Sequence, residues 1–380
     1  MLSGEAAKRR EESMRHIDSY RDWILLSKVS HLGPKRCREL VRHFGSPGKV
    51  LSASVKKLME VPGIGKEVAL SIVRARESVD VEKDLEYMDE VGITLVNFQD
   101  SLYPVNLRTI SDPPFLLYVR GELKKEDENA VAIVGTRRAT TYGRLTARRL
   151  ARDLGRRGVT IVSGMARGID TAAHQGALEV GARTIAVLGC GIDVVYPPEN
   201  RKLMEEIVKN GAVVSEFPLG TLPEAPNFPQ RNRIISGLSK GVLVVEAPLR
   251  SGALITVDFA LEQGREVFAV PGQINSPTSQ GVNRLIKEGA KLVESVEDVM
   301  EELGFSLCED RAAMKRAEEK ERSLSLEEKK IFSLLKDVPV HIDFIISGSG
   351  MSASKVAAVL VGLQLKGLVR ELPGKLFVKG

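Results

Sequence analysis

Four turns in the middle of the chain have the composition of a site that takes an anion. Gly135-Thr136-Arg137, Ser163-Gly164, Gly189-Cys190-Gly191 and Glu246-Ala247 each follow a short apolar run. Small residues let a backbone come close to a ligand, and the free N–H groups where a helix starts favour negative charge, so phosphate is the natural guest. For any one turn, glycine serving only a tight strand-to-helix connection is an equal reading; three together favour the ligand. Arginine sharpens the pattern, because its planar fork suits bidentate contact with phosphate oxygens. Arg137 stands first in a run with Arg138, Arg144, Arg148, Arg149, Arg152, Arg156 and Arg157, opposed by Asp153 alone. For the members beyond Arg137, a solvated helix face is the favoured reading. A second cluster, Asn227-Phe228-Pro229-Gln230-Arg231-Asn232-Arg233, joins cations to one aromatic ring. Bases stack on such a ring while charge follows the backbone of a single strand. A Phe228 that merely anchors a loop on the core is an equal reading.

Catalytic motifs are weak. The chain has no G-x-x-x-x-G-K-[ST] loop, and no paired glycines follow Gly135 as a dinucleotide fingerprint requires. Asp170 and His174 have metal-ligand spacing on a helix but lack a third ligand, which favours a local hydrogen bond. With five histidines and no Gly-x-Ser-x-Gly elbow, a hydrolytic triad has no seat. Glu246, at a strand end before Ser251, Gly252 and Thr256, is the remaining acid–base candidate. The phosphate-facing set read from the sequence is Gly135, Thr136, Arg137, Arg138, Ser163, Gly164, Gly168, Asn227, Phe228, Arg231, Asn232, Arg233, Ser251, Gly252 and Thr256. No catalytic residue, metal or cofactor is expected.

The elements that must position these residues are strands alternating with helices. Val131–Val134, Val159–Val162, Thr184–Leu188, Val242–Val245 and Val267–Val270 are apolar runs, and Ala147, Leu150, Ala151 and Leu154 between the first two have helical spacing. Such alternation predicts a Rossmann-like, doubly wound, mostly parallel sheet whose ligands lie beyond the strands' carboxyl ends. Ile93–Val96 and Phe115–Val119 open this α/β domain, assigned to 86–304. Residues 1–85 form an all-α domain, with Val61-Pro62-Gly63-Ile64-Gly65-Lys66 as a helix-hairpin-helix turn and Leu32-Gly33-Pro34-Lys35-Arg36 as its partner; DNA contact and protein packing are equally compatible with it. A charged linker spans 305–322, with Glu309–Arg322 as its core. Residues 323–380 give three helices and two strands around Pro373-Gly374, a winged helix whose recognition helix, Ser352–Leu363, carries only Lys355 as a charge. A partner-protein role there is at least as well supported as duplex binding.

The chain has 380 residues, 43% apolar and 28% charged, with a formal charge of +5. Its pI near 9.0 permits an anionic partner without demanding one. No apolar run approaches the roughly 20 residues of a spanning helix, and the mixed-charge run to Arg15 lacks the order of a secretion signal. Cys37, Cys190 and Cys308 are widely separated and expected to be passive, as in a reducing compartment. A cytoplasmic location without a membrane role follows as the expectation.

Longer motifs identify a resemblance. Gly135-Thr136-Arg137 through Tyr142-Gly143, Ser163-Gly164-Met165-Ala166-Arg167-Gly168-Ile169-Asp170 with His174, Phe228 through Ile234, Ser251-Gly252-Ala253-Leu254-Ile255-Thr256 and Val270-Pro271-Gly272 closely resemble the DprA family, also called Smf, the bacterial DNA-processing proteins. The resemblance runs from Gly92 to Leu303. It implies a homodimer that binds incoming single-stranded DNA and loads RecA recombinase onto it in natural transformation, or in recombination and repair where a bacterium takes up no DNA. The family associates the Gly-Ser/Thr-Arg turn with DNA binding, and Arg137 matches it. One departure is Pro248-Leu249-Arg250, where members commonly carry small residues. Two alternatives use the same crevice. A nucleotide phosphoribohydrolase would resemble the lysine-decarboxylase-like superfamily, whose Pro-Gly-Gly-x-Gly-Thr loop is missing here; a nucleotide sensor would report through the winged helix.

Overall fold

The structure, a computed structural model, describes residues 20–78, 80–305, 324–335 and 339–379. The N-terminal run to Arg15, Cys308 and the proposed linker core Glu309–Arg322 lie outside the described residues. Two compact units are separated after Leu307.

The first unit is organised by a nine-stranded sheet among the described residues, in the order β1-β2-β6-β5-β4-β3-β7-β8-β9. The strands are β1 (Ile93–Asn97), β2 (Leu116–Gly121), β3 (Ala130–Val134), β4 (Thr160–Ser163), β5 (Thr184–Val187), β6 (Ala212–Ser215), β7 (Gly241–Val244), β8 (Glu266–Ala269) and β9 (Lys291–Leu292). From β6 to β9 all neighbours are parallel. β1 and β2 join antiparallel at the β6 edge. Every residue of β3 is buried, and its side chains alternate between two cores. Val131 and Ile133 meet Leu150 and Leu154 of the helix Thr141–Arg156 on one face, whereas Ala132 and Val134 belong to the core that holds Ile234 and Val257 on the other. Burial on both faces accounts for the unbroken apolar text of these strands.

β6 is absent from the strands expected from sequence. Its apolar text, Ala212-Val213-Val214, is too short to stand out, yet it joins the parallel body to the antiparallel hairpin. The helices before β1 pack against the sheet. Trp23 meets Phe98 edge-on and stacks on Phe115, with centroids 5.8 and 6.2 Å away, and Ser27 shares a 2.9 Å hydrogen bond with the Tyr118 hydroxyl. Their apolar residues form one core with Ala186, Leu188 and Val213 of the sheet. At the helix-hairpin-helix turn, Val61 and Ile64 are buried, while Gly63 has φ +83° and open space in front of it. Gly33, before the helix Pro34–Phe44, is equally open.

The second unit carries the helices Leu326–Leu334, Ile342–Ser349 and Ala353–Leu365 against a three-stranded sheet, β10 (Val340–His341), β12 (Leu376–Lys379) and β11 (Val369–Leu372), paired antiparallel in that order. Ile331, Ile345, Val356, Leu360 and Phe377 close its core, giving a winged helix. Lys355 is ion-paired to Glu327, and Val361 and Leu365 of the recognition helix are exposed. Among the described residues no single helix is long and apolar enough to cross a membrane.

Candidate functional site

The strand order reverses at β3. Chain leaving its end enters the helix Thr141–Arg156 on one face, and chain leaving the adjacent β7, paired Val134 to Val244, enters the helix Gly252–Glu262 on the other. A crevice of about 400 Å³ opens at this switch point, where an open α/β sheet binds its ligands. It is walled on one side by Gly135, Thr136, Arg137 and Arg138, and on the other by Arg250, Ser251, Gly252 and Thr256, with Phe228, Arg231, Asn232 and Asp170 between.

The β3 turn is held by its neighbours. A Cβ on Gly135 would lie 2.5 Å from Ile169 Cγ1 and 2.8 Å from the Glu246 carbonyl oxygen, so packing requires this glycine. The Thr136 amide donates to that carbonyl (2.7 Å), and Thr136 Oγ1 accepts from the Arg138 amide (3.2 Å). Glu246 is 3% exposed and accepts from the Thr140 amide (2.9 Å) and hydroxyl (2.6 Å), with Thr278 Oγ1 at 3.4 Å. Thr140 in turn caps the helix through the Gly143 amide (3.0 Å). Glu246, the acid–base candidate of the sequence, is thus a clamp between the β7 end and the β3 turn. The turn projects Arg137 and Arg138 outward, and Arg137 Cζ lies 5.0 Å from the centroid of the Phe228 ring. That ring also leans on Tyr196, with centroids 5.5 Å apart, and a Cβ on Gly189 would come within 2.9 Å of it. Phe228 is therefore both a loop anchor and part of the crevice wall.

Arg231 has another role. Its guanidinium is buried and donates to the carbonyls of Gly164 (2.9 Å) and Val187, tying together the ends of β4 and β5. Burial lowers its pKa to about 10. Asp170 lines the crevice, accepts from the Ala166 amide (3.3 Å), and is pushed up to about 6 by burial, against the pull of Arg231. Gly164 separates the two: a Cβ there would sit 2.7 Å from Arg231 Nη2 and 2.8 Å from Asp170 Oδ2. His174 is buried, with Nδ1 2.7 Å from Thr184 Oγ1. That hydroxyl donates to the Ile161 carbonyl (2.8 Å), so the ring donates to it through Nδ1–H. Burial lowers the His174 pKa to about 3. Asp170 and His174 do not converge on a ligand, and the described residues hold no group of three metal-ligating side chains.

Five residues of the sequence-derived set stand outside the crevice lining. Ser163 is buried and donates to the Ile133 carbonyl (2.7 Å). Gly168, at φ +80°, lays the β4 loop against the Thr136 carbonyl. Asn227 donates to the Leu222 carbonyl (3.3 Å). Arg233 is buried in an ion pair with Glu216, with Asp112 3.8 Å away. Gly164 borders an adjoining small cavity beside Tyr196 and Phe228. Along Thr141–Arg156 the arginines are engaged locally: Arg148 pairs with Glu179, Arg152 and Arg156 with Asp153, and Arg144 donates to the Ala139 carbonyl (2.6 Å). Arg157, just beyond, pairs with Glu297. Arg250 is the crevice cation missing from the sequence-derived set; its signal was its place between a strand end and the N-cap Ser251. Cys37 and Cys190 are buried free thiols, both raised by burial, Cys190 to about 11.

Comparison with known proteins identifies the family and supports the fold. The family model for DNA recombination-mediator protein A matches residues 94–304, a DprA winged helix domain matches 315–375, and a SAM-like helix-hairpin-helix tandem matches 24–77. Protein Smf of Synechocystis is 34% identical over 93% of this chain and 96% of its own length. DNA processing protein DprA of Streptococcus pneumoniae is 47% identical over 54% of this chain and 73% of its own. The X-ray structure of the Streptococcus pneumoniae protein superposes with a TM-score of 0.66 at 37% identity, covering 74% of this chain and 97% of that one. A structure of DNA processing protein A from Helicobacter pylori, studied for its single-stranded DNA binding mode, gives 0.50 at 32% identity, covering 56% and 95%. With a family model over more than half of its residues and a relative aligned along nearly its whole length, the chain belongs to the DNA recombination-mediator protein A family, DprA/Smf.

Proposed function

We propose that this protein is a single-stranded DNA-binding mediator that takes part in DNA processing during transformation or recombination, and that it grips the phosphate backbone in the crevice at the β3–β7 switch point. The observation that carries this reading is the exposed pair Arg137 and Arg138 on the crevice wall, with the Arg137 guanidinium lying over the Phe228 ring. Cations that follow a backbone beside a ring that stacks bases are the parts a single-strand site needs. The Helicobacter pylori relative's single-stranded DNA binding supports it. In this reading segment 86–304 holds the DNA, 1–85 and 323–380 serve as flanking modules, and the protein acts in the cytoplasm as a homodimer that loads RecA recombinase onto the bound strand. No covalent chemistry is proposed for it; the acid–base candidate Glu246 instead accepts from the Thr140 amide and hydroxyl, which supports a structural use of this carboxylate.

The test is fluorescence anisotropy of a labelled oligo(dT) across a salt series, with wild type and Arg137→Ala. Salt-sensitive binding that weakens at least tenfold in the variant is expected, since each phosphate neutralised on a single strand adds about 0.7 to the log–log salt slope. Absence of binding at low salt, or binding indifferent to Arg137, overturns the reading. A mononucleotide that competes at equal concentration would turn it toward a nucleotide sensor.

A further inference from the structure

The helix Asn227–Leu238 gives Phe228, Arg231 and Asn232 to the crevice. Its other side rests on the segment between β1 and β2: a Cβ on Gly237 would meet Leu107 at 2.8 Å and Ile110 at 3.1 Å. Arg233, buried on the same helix, pairs with Glu216, and its Nε lies 3.8 Å from Asp112 Oδ2. This triad is incompletely satisfied. Arg233 Nη1, Glu216 Oε1 and Asp112 Oδ1 are buried without a hydrogen-bond partner among the described residues. A buried guanidinium with few partners takes its place from the ones it has, because each remaining contact is strong in a low dielectric. Where Asp112 stands therefore bears on where the helix sits.

The helices before β1 decide where Asp112 stands. Arg38, on the helix Pro34–Phe44, donates through Nη1 to the Pro113 carbonyl (2.7 Å) and through Nη2 to the Ser111 carbonyl (3.4 Å), which brackets Asp112. Near the start of the same segment the Tyr20 hydroxyl donates to the Asp100 carboxylate, which also accepts from the Asn97 amide (2.7 Å). The segment under the helix Asn227–Leu238 is thus pinned at two places from the N-terminal helices. Neither Arg38 nor Tyr20 lines the crevice.

We infer that Arg38 is a positioning residue for the crevice: through the Ser111–Pro113 turn and the Asp112–Arg233 pair, the N-terminal helices set the seating of the helix Asn227–Leu238 and of its Phe228 ring. Its consequence for binding rests on the proposed single-strand site, whereas the seating itself can be read without DNA. Arg38 acts at a distance from the ligand, so its loss should change the geometry of the crevice and leave the count of phosphate-facing cations as it was.

The experiment uses the full chain, with Arg38→Ala, Arg38→Lys, Asp112→Asn and Phe228→Leu, and reads two things. Without DNA, amide hydrogen exchange is followed across the helix Asn227–Leu238 and across β3 and β7. Arg38→Ala is expected to speed exchange in the helix several-fold while β3 and β7 keep wild-type protection, since local opening follows local contacts. Asp112→Asn, which leaves the Arg38 contacts to the two carbonyls in place, should act in the same direction, and Arg38→Lys, which keeps one donor for Pro113, should recover most of the protection. With fluorescein-labelled oligo(dT) over a salt series, Arg38→Ala is expected to weaken binding several-fold at an unchanged log–log slope, whereas a residue that touches a phosphate would take about 0.7 from it. In the Phe228→Leu background the same change should cost less than half as much, because both act through one ring. Exchange in the helix that stays at wild-type rates in Arg38→Ala and Asp112→Asn, or that rises equally in β3 and β7, overturns the inference. So does a flattened slope, or a loss that adds in full to that of Phe228→Leu. If the variants loosen the helix selectively but wild type does not bind oligo(dT), the positioning stands and the single-strand reading of the crevice fails.

Discussion

Glu246 separates two accounts of the crevice, one in which it is chemical machinery and one in which it is a clamp, and Glu246→Gln distinguishes them. The carboxylate accepts from the Thr140 amide at 2.9 Å and the Thr140 hydroxyl at 2.6 Å. A glutamine of the same shape presents one acceptor and one donor. If its amide turns to the Thr140 amide, two donors face each other. If it turns to the hydroxyl, Thr140 Oγ must accept from it while still accepting from Gly143 at 3.0 Å, and its own proton loses its partner. Either way one hydrogen bond to the carboxylate is lost, about 1.5–3 kcal/mol. The negative charge at the start of the helix Thr141–Arg156 goes too, roughly 0.3–1 kcal/mol. Relief from burying that charge offsets part of the sum, leaving about 2 kcal/mol. At roughly 2–4 °C per kcal/mol for units of this scale or slightly smaller, the melting temperature should fall by about 4–8 °C. Because the Thr136 amide hangs on the Glu246 carbonyl (2.7 Å), oligo(dT) affinity should fall several-fold with it. The assay is thermal melting by circular dichroism together with a double-mutant cycle against Thr140→Ala, where a coupling of about 1–2 kcal/mol is expected for partners in direct contact. A Glu246→Gln protein that melts with wild type, or a cycle that sums to zero, refutes the clamp.

Phe228→Leu keeps apolar bulk against Gly189 and Tyr196 but removes the aromatic face; oligo(dT) binding should weaken by about 1 kcal/mol or more, the worth of one stacked base, at an unaltered salt slope, as read by anisotropy. Gly164→Ala should destabilise the fold by roughly 1–3 kcal/mol, measured by urea unfolding, because its Cβ would press on Arg231 Nη2 and Asp170 Oδ2 at 2.7 and 2.8 Å. His174 titrates near 6.5 when unfolded and near 3 when folded, so the unfolded chain binds the extra proton and this group's contribution to stability is lost as pH falls from about 6.5 toward 3. His174→Asn, whose amide replaces the Nδ1–H donor to Thr184, should reduce the acid loss between about pH 7.5 and 4.5 by on the order of 2 kcal/mol relative to wild type. Asp170 and Glu216, both raised to about 6, act in the opposite direction in the two proteins alike, so the difference between the unfolding curves isolates the histidine.

What could be read from the sequence was local, and what could not depended on partners far along the chain. The buried strands announce themselves because a strand covered on both faces must be apolar throughout, and the strand-end turns locate the crevice because a reversal of strand order leaves a gap there. β6 escaped because its three apolar residues carry no period. Within Asn227–Ile235, nothing in the text distinguishes Arg231 from Arg233 as backbone-gripping cations. Their roles are set by Gly164 and Val187 for the one and by Glu216 for the other. Glu246 had the residue type and strand-end position of a catalytic acid, and its meaning changed only when Thr140, 106 residues earlier, was found against it. The charge budget of the crevice shifts accordingly. The sequence places its cations on the turn after β3 and in the Asn227–Ile235 cluster; the folded chain commits Arg231 and Arg233 of that cluster to carbonyls and an acid, and leaves Arg137, Arg138 and Arg250 on the two turns beside the switch point. An anion entering the crevice is therefore met by side chains from the turns after β3 and β7, and salt dependence should follow substitutions in those turns, while substitutions at Arg231 and Arg233 should register first as losses of stability.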